Sequence, residues 1–218
     1  MTVRKKASEL KETIDPVVLK PLPRQTAIIR VRGVTPLVTN NFSAKSRRQM
    51  LEAQWAKAGV EIKEKREPQD PEADFEAARY RIDDKRDGIP ATAFKAATVD
   101  AARFYKGVTQ IELKMMLYIF GEGPDSLVPI IAGPPEIWEN VVRTRGKDRS
   151  AMLRWRPRYW PWEAELRINF LPTVLALESL VNLVNTGGLG GVGEWRPTAP
   201  MSKSGVLGTY EVISSDAS

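Results

Sequence analysis

Apolar residues recur along this chain in two periods, and the changes of period mark the expected elements. QTAIIRVRGV alternates, with Ala27, Ile29 and Val31 on one face and Arg30 and Arg32 on the other. That spacing predicts a first strand over 25–34. Thr35-Pro36-Leu37 ends it, and Ser43 is a candidate N-cap for a helix over 43–58 with Met50, Leu51 and Trp55 as its core side. Residues 59–87 alternate acid and base with little apolar period, which predicts a solvated insertion with a short helix near 71–80. Pro90 opens a second helix, 90–105, with Phe94, Ala97, Ala101 and Phe104 in register. VTQIELKMMLYIF predicts a strand over 108–120, and 127–133 with 137–143 a hairpin around Pro134 and Pro135. A strand over 163–171 precedes a helix over 172–186, which carries Val174, Leu177, Leu180, Val181 and Val184. A last strand follows at 205–213.

Between that helix and that strand lies NLVNTGGLGGVG, where Gly187, Gly188, Gly190, Gly191 and Gly193 fall within seven positions. The helix is expected to end at Gly187 and the remaining glycines to form a loop. Gly188-x-Gly190-x-x-Gly193 matches the dinucleotide fingerprint in spacing but not in polarity. That fingerprint needs a strand before the glycines and a helix opening after them. No GK[ST] follows, so a P-loop is excluded too. So many glycines imply close approach of one backbone to another, whether of the protein itself, a neighbour or a nucleic acid.

Composition removes chemistry. Cysteine and histidine are both absent, which excludes disulfides, thiolate nucleophiles, the usual zinc sites and histidine acid–base catalysis. Asp83, Asp84 and Asp87 sit among Lys85 and Arg86, which satisfy them without a metal; no metal or cofactor is expected. No apolar run approaches a membrane span and no signal region opens the chain, so an intracellular, cytoplasmic protein is expected. The formal charge is +6 and the pI near 9.5, which favours a polyanionic partner if the charges cluster.

They do cluster. Arg143, Arg145, Lys147, Arg149, Arg154, Arg156 and Arg158 face a single acid, Asp148, and Trp155, Tyr159, Trp160 and Trp162 are interleaved or adjacent. Guanidinium groups hold phosphates by charge and forked hydrogen bonds, while aromatic faces stack on unpaired bases. The bland alternative is that the tryptophans are core and the arginine stems cover them. Pro157 and Pro161 are expected to break regular structure and project the segment. Lys45, Arg47 and Arg48 stand in a first helical turn, where they oppose the macrodipole unless an anion lies near. Residues 1–24 are expected to be a flexible basic arm.

In order, these pieces make an α+β chain with a βαββαβ, ferredoxin-like (RRM-like) frame carrying helical and hairpin insertions. VRGVTPLV at the first strand, GIPATAFKAATVDAAR before the central strand and the glycine-rich segment before the last strand resemble, in that order, the repeat-associated RAMP proteins, Cas7-like branch. Thr35-PLVTNNFS and Gly191-VGEWRP are also similar to segments of bacteriophage-encoded Cas7-like proteins. The resemblance implies a single palm domain over 25–214 with insertions at about 59–87 and 134–160, the second a thumb-like hairpin. It implies copies side by side, as a homo-oligomer or filament or in a CRISPR-type Cas7-like assembly, along one nucleic-acid strand in a bacterial or phage-infected cell. Where some relatives cut RNA with an aspartate after the first strand, this chain has Asn40 and Asn41.

The expectation is a non-catalytic binder of single-stranded DNA or RNA. Arg154, Arg156 and Arg158, with Arg143, Arg145 and Lys147, would meet phosphates, and Trp155 and Tyr159 would stack. Lys45, Arg47 and Arg48 would make a second backbone contact, and Gly188, Gly190, Gly191 and Gly193 with Trp195 and Arg196 a close approach. The alternatives are a RAMP-type RNA endonuclease and an interaction or inhibitory protein that uses a Cas7-like surface to join or block another complex.

Overall fold

The computed structural model describes residues 19–41, 50–52, 54–55, 70–143, 151–200 and 203–217. Residues 1–18 of the expected arm at 1–24 and most of the expected helix at 43–58 lie outside them; residues 19–24 are exposed without regular structure, and residues 50–52 and 54–55 are helical. Among the described residues no helix is long and apolar enough to cross a membrane.

The α+β class stands, with two antiparallel sheets. The larger is organised by β1 (Gln25–Gly33) and β8 (Trp162–Phe170), paired with Ile29 opposite Leu166. Ala27, Ile29, Val31, Ala164, Leu166, Ile168 and Phe170 are buried on one face, as the alternation predicts. β9 (Tyr210–Ala217) flanks β1. Beyond β8 stand β4 (Tyr118–Phe120), β5 (Leu127–Ala132) and β3 (Gly88–Pro90), giving the order β3-β5-β8-β1-β9 with β4 also on β8. The smaller sheet has the order β2-β7-β6, from Leu37–Val38, Ala151–Tyr159 and Glu136–Arg143.

Helices α2 (Ala91–Asp100) and α4 (Leu177–Gly190) supply Phe94, Leu180, Leu183 and Val184 to the core beside the buried strand residues. α2 continues as a 3-10 turn, where Ala101 is buried but Phe104 is 72% exposed, contrary to its expected register.

Several expectations are corrected. The 108–120 segment is not a strand: Thr109 and Glu112 form a capping box that starts helix α3 (Gln110–Met116), leaving only β4 extended. Its apolar residues follow the helical period, with Leu113 and Met116 buried and Ile111 and Met115 exposed. Residues 127–133 and 137–143 do not pair with each other: β5 joins the large sheet and β6 pairs with β7. Pro157 does not interrupt β7. The fourth helix begins at Leu177 and not at Pro172, because a separate turn intervenes, closed by the Val174 and Leu175 amides on the Leu171 carbonyl. It then runs through Gly187 and Gly188 to Gly190, and Gly191, at φ 70°, ends it. β9 starts only at Tyr210, because the chain before it meets the Val192 backbone, whose amide donates to the Gly208 carbonyl.

The glycines are therefore close-approach points inside the protein. A Cβ on Gly187 would lie 2.8 Å from the Ala97 carbonyl oxygen, and one on Gly188 would lie 1.9 Å from that of Tyr210. α4 is wedged between α2 and β9 with no room for a methyl group.

The insertion ends in an ordered anchor. α1 (Pro71–Ala77) is capped by Asp70 and buries Phe75. Arg79 then forks onto Asp87, with Nη2 2.7 Å from Oδ2, and the Tyr159 hydroxyl donates to the same oxygen at 2.9 Å. Asp87 is thus held by Arg79 and Tyr159, while Arg86 holds Asp83. Burial first, then the charge and hydrogen bond of Asp87, push the Tyr159 phenol well above its ordinary value. Burial alone does the same to Tyr210.

Four outcomes follow from this packing. Gly188→Ala is expected to destabilise by roughly 3 kcal/mol or more in urea unfolding, since backbone must move. Gly133→Ala, with nothing near its Cβ, should stay within about 0.5 kcal/mol. Tyr159→Phe, which leaves the buried carboxylate one donor short, should cost about 1–3 kcal/mol. The two raised phenols contribute stability that is complete below the unfolded tyrosine value of about 10 and is lost as pH climbs above it. In an alkaline titration, Tyr159 and Tyr210 should therefore ionise only as the protein unfolds. Ionisation of all five tyrosines in the folded state would contradict the burial argument.

Candidate nucleic-acid interface

β6 and β7 form a hairpin with two distinct faces. Their register places Glu136 opposite Arg158, Trp138 opposite Arg156 and Asn140 opposite Arg154. Directly opposed residues of an antiparallel pair share a face. Arg154, Arg156 and Arg158 therefore form a row beside Trp138 and Asn140. The other face carries Leu153, Trp155, Pro157 and Tyr159, with Ile137, Glu139 and Val141 opposite, and Leu37 of β2 beside Tyr159.

The arginine row is electrostatically incomplete. Arg156 is only 8% exposed, and its Nη1 donates to Asn140 Oδ1 at 3.1 Å. Its Nε, the Nε of Arg158 and Nδ2 of Asn140 are enclosed without an acceptor. Arg30, Arg32, Arg79, Arg81, Arg86 and Arg103 each pair with a carboxylate. Among the described residues, no carboxylate forms an ion pair with Arg154, Arg156 or Arg158. Burial pulls the Arg156 pKa down, the charge of Glu194 opposes this, and Arg154 adds to it. A guanidinium stays charged regardless, so an anion delivered here would relieve both desolvation and like-charge repulsion.

The segment after α4 closes this face. The Glu194 amide donates to the Val38 carbonyl at 2.8 Å, and Gly193 passes so close that a Cβ would lie 2.5 Å from the same oxygen. Trp195 adopts φ 56°, a left-handed conformation that costs a bulky residue about 1–3 kcal/mol. Its carbonyl accepts from the Leu207 amide at 3.0 Å. In that pose its ring meets Trp138 edge-on, with centroids 6.3 Å apart and planes at 86°. Arg196 Nη1 donates to the Gly193 carbonyl at 2.7 Å.

The structure thus brings Arg154, Arg156, Arg158 and Trp195 together and separates others from them. Trp155 lies on the opposite face, its indole Nε1 donating to Glu139 at 2.7 Å. Tyr159 is buried and bound to Asp87, so its ring offers no face for stacking. Gly188 is enclosed against Tyr210, Gly190 against Thr198, Gly191 against Arg196 and the 207–208 backbone, and Gly193 against Val38. Lys45, Arg47, Arg48, Arg145 and Lys147 lie outside the described residues, as does the side chain of Arg143. Sequence reasoning missed Trp138, Asn140 and Glu194. The alternation of Trp138, Asn140 and Val142 facing that of Arg154, Arg156 and Arg158 was the available signal, once β6 is paired with β7.

Beside this face opens a cleft of about 280 Å³. Thr92, Ala93 and Ala96 of α2 form one wall, the 191–196 segment the other, and Asp100, Glu194 and Arg196 supply charge. Among the described residues no group of three or more acidic side chains is placed to hold a metal ion. Asn40 and Asn41 are tied to the 78–80 segment: the Tyr80 hydroxyl donates to the Asn40 carbonyl, and the Asn41 side-chain amide donates to the Arg79 carbonyl.

No family model matches this chain, and no curated protein matches it. Among solved structures, it is similar to a chain of the Type III-B Cmr-beta complex bound to cognate target RNA, with 9% identity and a TM-score of 0.46. The match covers 89% of this chain and 60% of the other, so this chain spans about three-fifths of that protein's length.

Proposed function

We propose that this protein is a non-catalytic, single-strand nucleic-acid-binding protein of RAMP, Cas7-like type that self-associates along its ligand. One observation carries the reading: among the described residues the hairpin presents three neighbouring arginines on one face without carboxylate partners, whereas Arg30, Arg32, Arg79, Arg81, Arg86 and Arg103 each have one. Unpaired cations in a row are the footprint of a phosphate backbone, and Trp138 and Trp195 beside them suit unpaired bases. In this reading β1, α2, β4 with β5, β8, α4 and β9 are the βαββαβ palm, and β6–β7 is its thumb-like projection. The central strand order β5-β8-β1-β9 and the placement of a helix before β4 and another before β9 support it. Asn40 and Asn41, engaged in holding the neighbouring segment, support a binding role over cleavage.

A second reading, an interaction protein, draws on the opposite hairpin face, where Ile137, Val141 and Leu153 are exposed. It requires tight protein association without affinity for nucleic acid.

The test is salt-titrated binding to single-stranded DNA, single-stranded RNA and duplex. Single strands are expected to bind in a salt-sensitive way, with mass growing stepwise as the strand lengthens. Arg154→Gln with Arg158→Gln should weaken binding and lower the slope of log K against log salt by roughly 0.7 for each phosphate no longer neutralised. An unchanged slope would remove the arginine row from the interface. No binding at low salt would favour the interaction reading, and shortened RNA after incubation would point to an endonuclease.

A further inference from the structure

We infer that the cleft between α2 and the 191–196 segment receives one unpaired base of the bound strand and favours bases that carry an exocyclic amino group. The inference rests on the nucleic-acid reading of the adjacent arginine face and adds a base-reading site to it. Glu194 lines the cleft, and its charge acts on Arg156. Its neighbour Trp195 touches Trp138 on the arginine face. Residues 194 and 195 thereby connect the cleft to the arginine face.

The two surfaces have opposite chemistry. Asp100 is answered by Arg103 and Arg196 Nη1 is engaged by the Gly193 carbonyl, so Glu194 is the lining acid without an ion-pair partner among the described residues. Carboxylates accept hydrogen bonds and cannot donate, so they select a ligand edge rich in N–H. Cytosine, adenine and guanine present amino groups of that kind; thymine and uracil do not. Asp100 Oδ1 already accepts from Arg103 and Gln110, each at 3.3 Å. Glu194 makes no side-chain hydrogen bond among the described residues, which leaves it the principal reader. Ala93 and Ala96 add a small, apolar wall suited to a flat ring. At about 280 Å³ the space sits at the low end of ligand pockets, about 300 Å³, and has room for a base.

The test compares oligo(C) with oligo(T) or oligo(U), as DNA and as RNA, by fluorescence anisotropy at fixed salt and across a salt series. The wild-type protein should bind the cytosine strand roughly tenfold more tightly. Ala96→Phe, which fills the cleft from an exposed position, should abolish the preference and leave the salt slope unchanged. Glu194→Gln should reduce the preference. With the wild-type protein, an abasic strand should bind no more tightly than the thymine strand, since it offers neither an amino group nor a ring to stack. Equal affinity for both wild-type strands would overturn the inference, as would a preference that survives Ala96→Phe, since stacking strength alone then explains it. Salt-sensitive binding without base preference sinks this inference and spares the arginine row. Absence of any salt-sensitive binding removes the nucleic-acid reading and this inference with it.

Discussion

Asp87 is the group on which the arrangement of this molecule turns. A carboxylate buried this deeply is tolerable only when charge and hydrogen bonds replace the water it loses. Arg79 supplies the charge from the end of the insertion, and Tyr159 supplies a hydroxyl from β7. Asp87 itself immediately precedes β3, which leads into α2. One side chain thereby ties the insertion, the root of the hairpin and the edge of the large sheet. The hairpin's orientation follows, and with it the direction in which Arg154, Arg156 and Arg158 point. Asn41, through Arg79 and Ala78, extends the same tie to the exit of β2.

The distribution of cations has a consequence that net charge hides. Surface pairs such as Arg30–Glu165 and Arg32–Glu163 are exposed and contribute little, about 0–1 kcal/mol each. They also neutralise the open face of the large sheet. Arg154, Arg156 and Arg158, by contrast, stand side by side and form no ion pair with a carboxylate among the described residues. Arg156 is the extreme case, desolvated, with the charge of Glu194 and the Asn140 Oδ1 acceptor in its favour but no ion pair with a carboxylate among the described residues. That combination stores a preference for an incoming anion which a fully exposed lysine would not have.

Much of the frame is legible in the sequence because it rests on local periodicity. The alternation in β1 and β8, the helical register of Phe94 and Ala97 and that of Leu180 and Val184 all report directly on the side facing the core. The failures lie where a local signal is overridden or overlooked. The Thr109–Glu112 capping box turns an apolar run into a helix, and the glycines of α4, which locally favour a helix stop, are helical because α2 and β9 leave no room for side chains. Charge density reveals the arginine cluster but not its partners. Trp138 and Asn140 meet it only through strand register, whereas the local pattern pairs β6 with β5. Tyr159 reads locally as an accessible ring beside arginines; its burial depends on Asp87, distant in sequence.

The pleat also divides the labour of the candidate interface. Consecutive residues of β7 point to opposite sides, so no tryptophan or tyrosine within Arg154–Tyr159 can share a face with the arginines at 154, 156 and 158. Aromatic surface on the arginine face must come from a second segment, and it does: Trp138 from β6 and Trp195 from the segment behind α4. Trp195 reaches that position in a left-handed backbone conformation, held because Gly193 lets the chain pass against Val38 and because Leu207 bonds the Trp195 carbonyl. The glycine run thus affects the interface without touching a ligand. By seating α4 tightly against α2 and β9, it fixes where the chain emerges, and so where Glu194 and Trp195 stand relative to the arginine row.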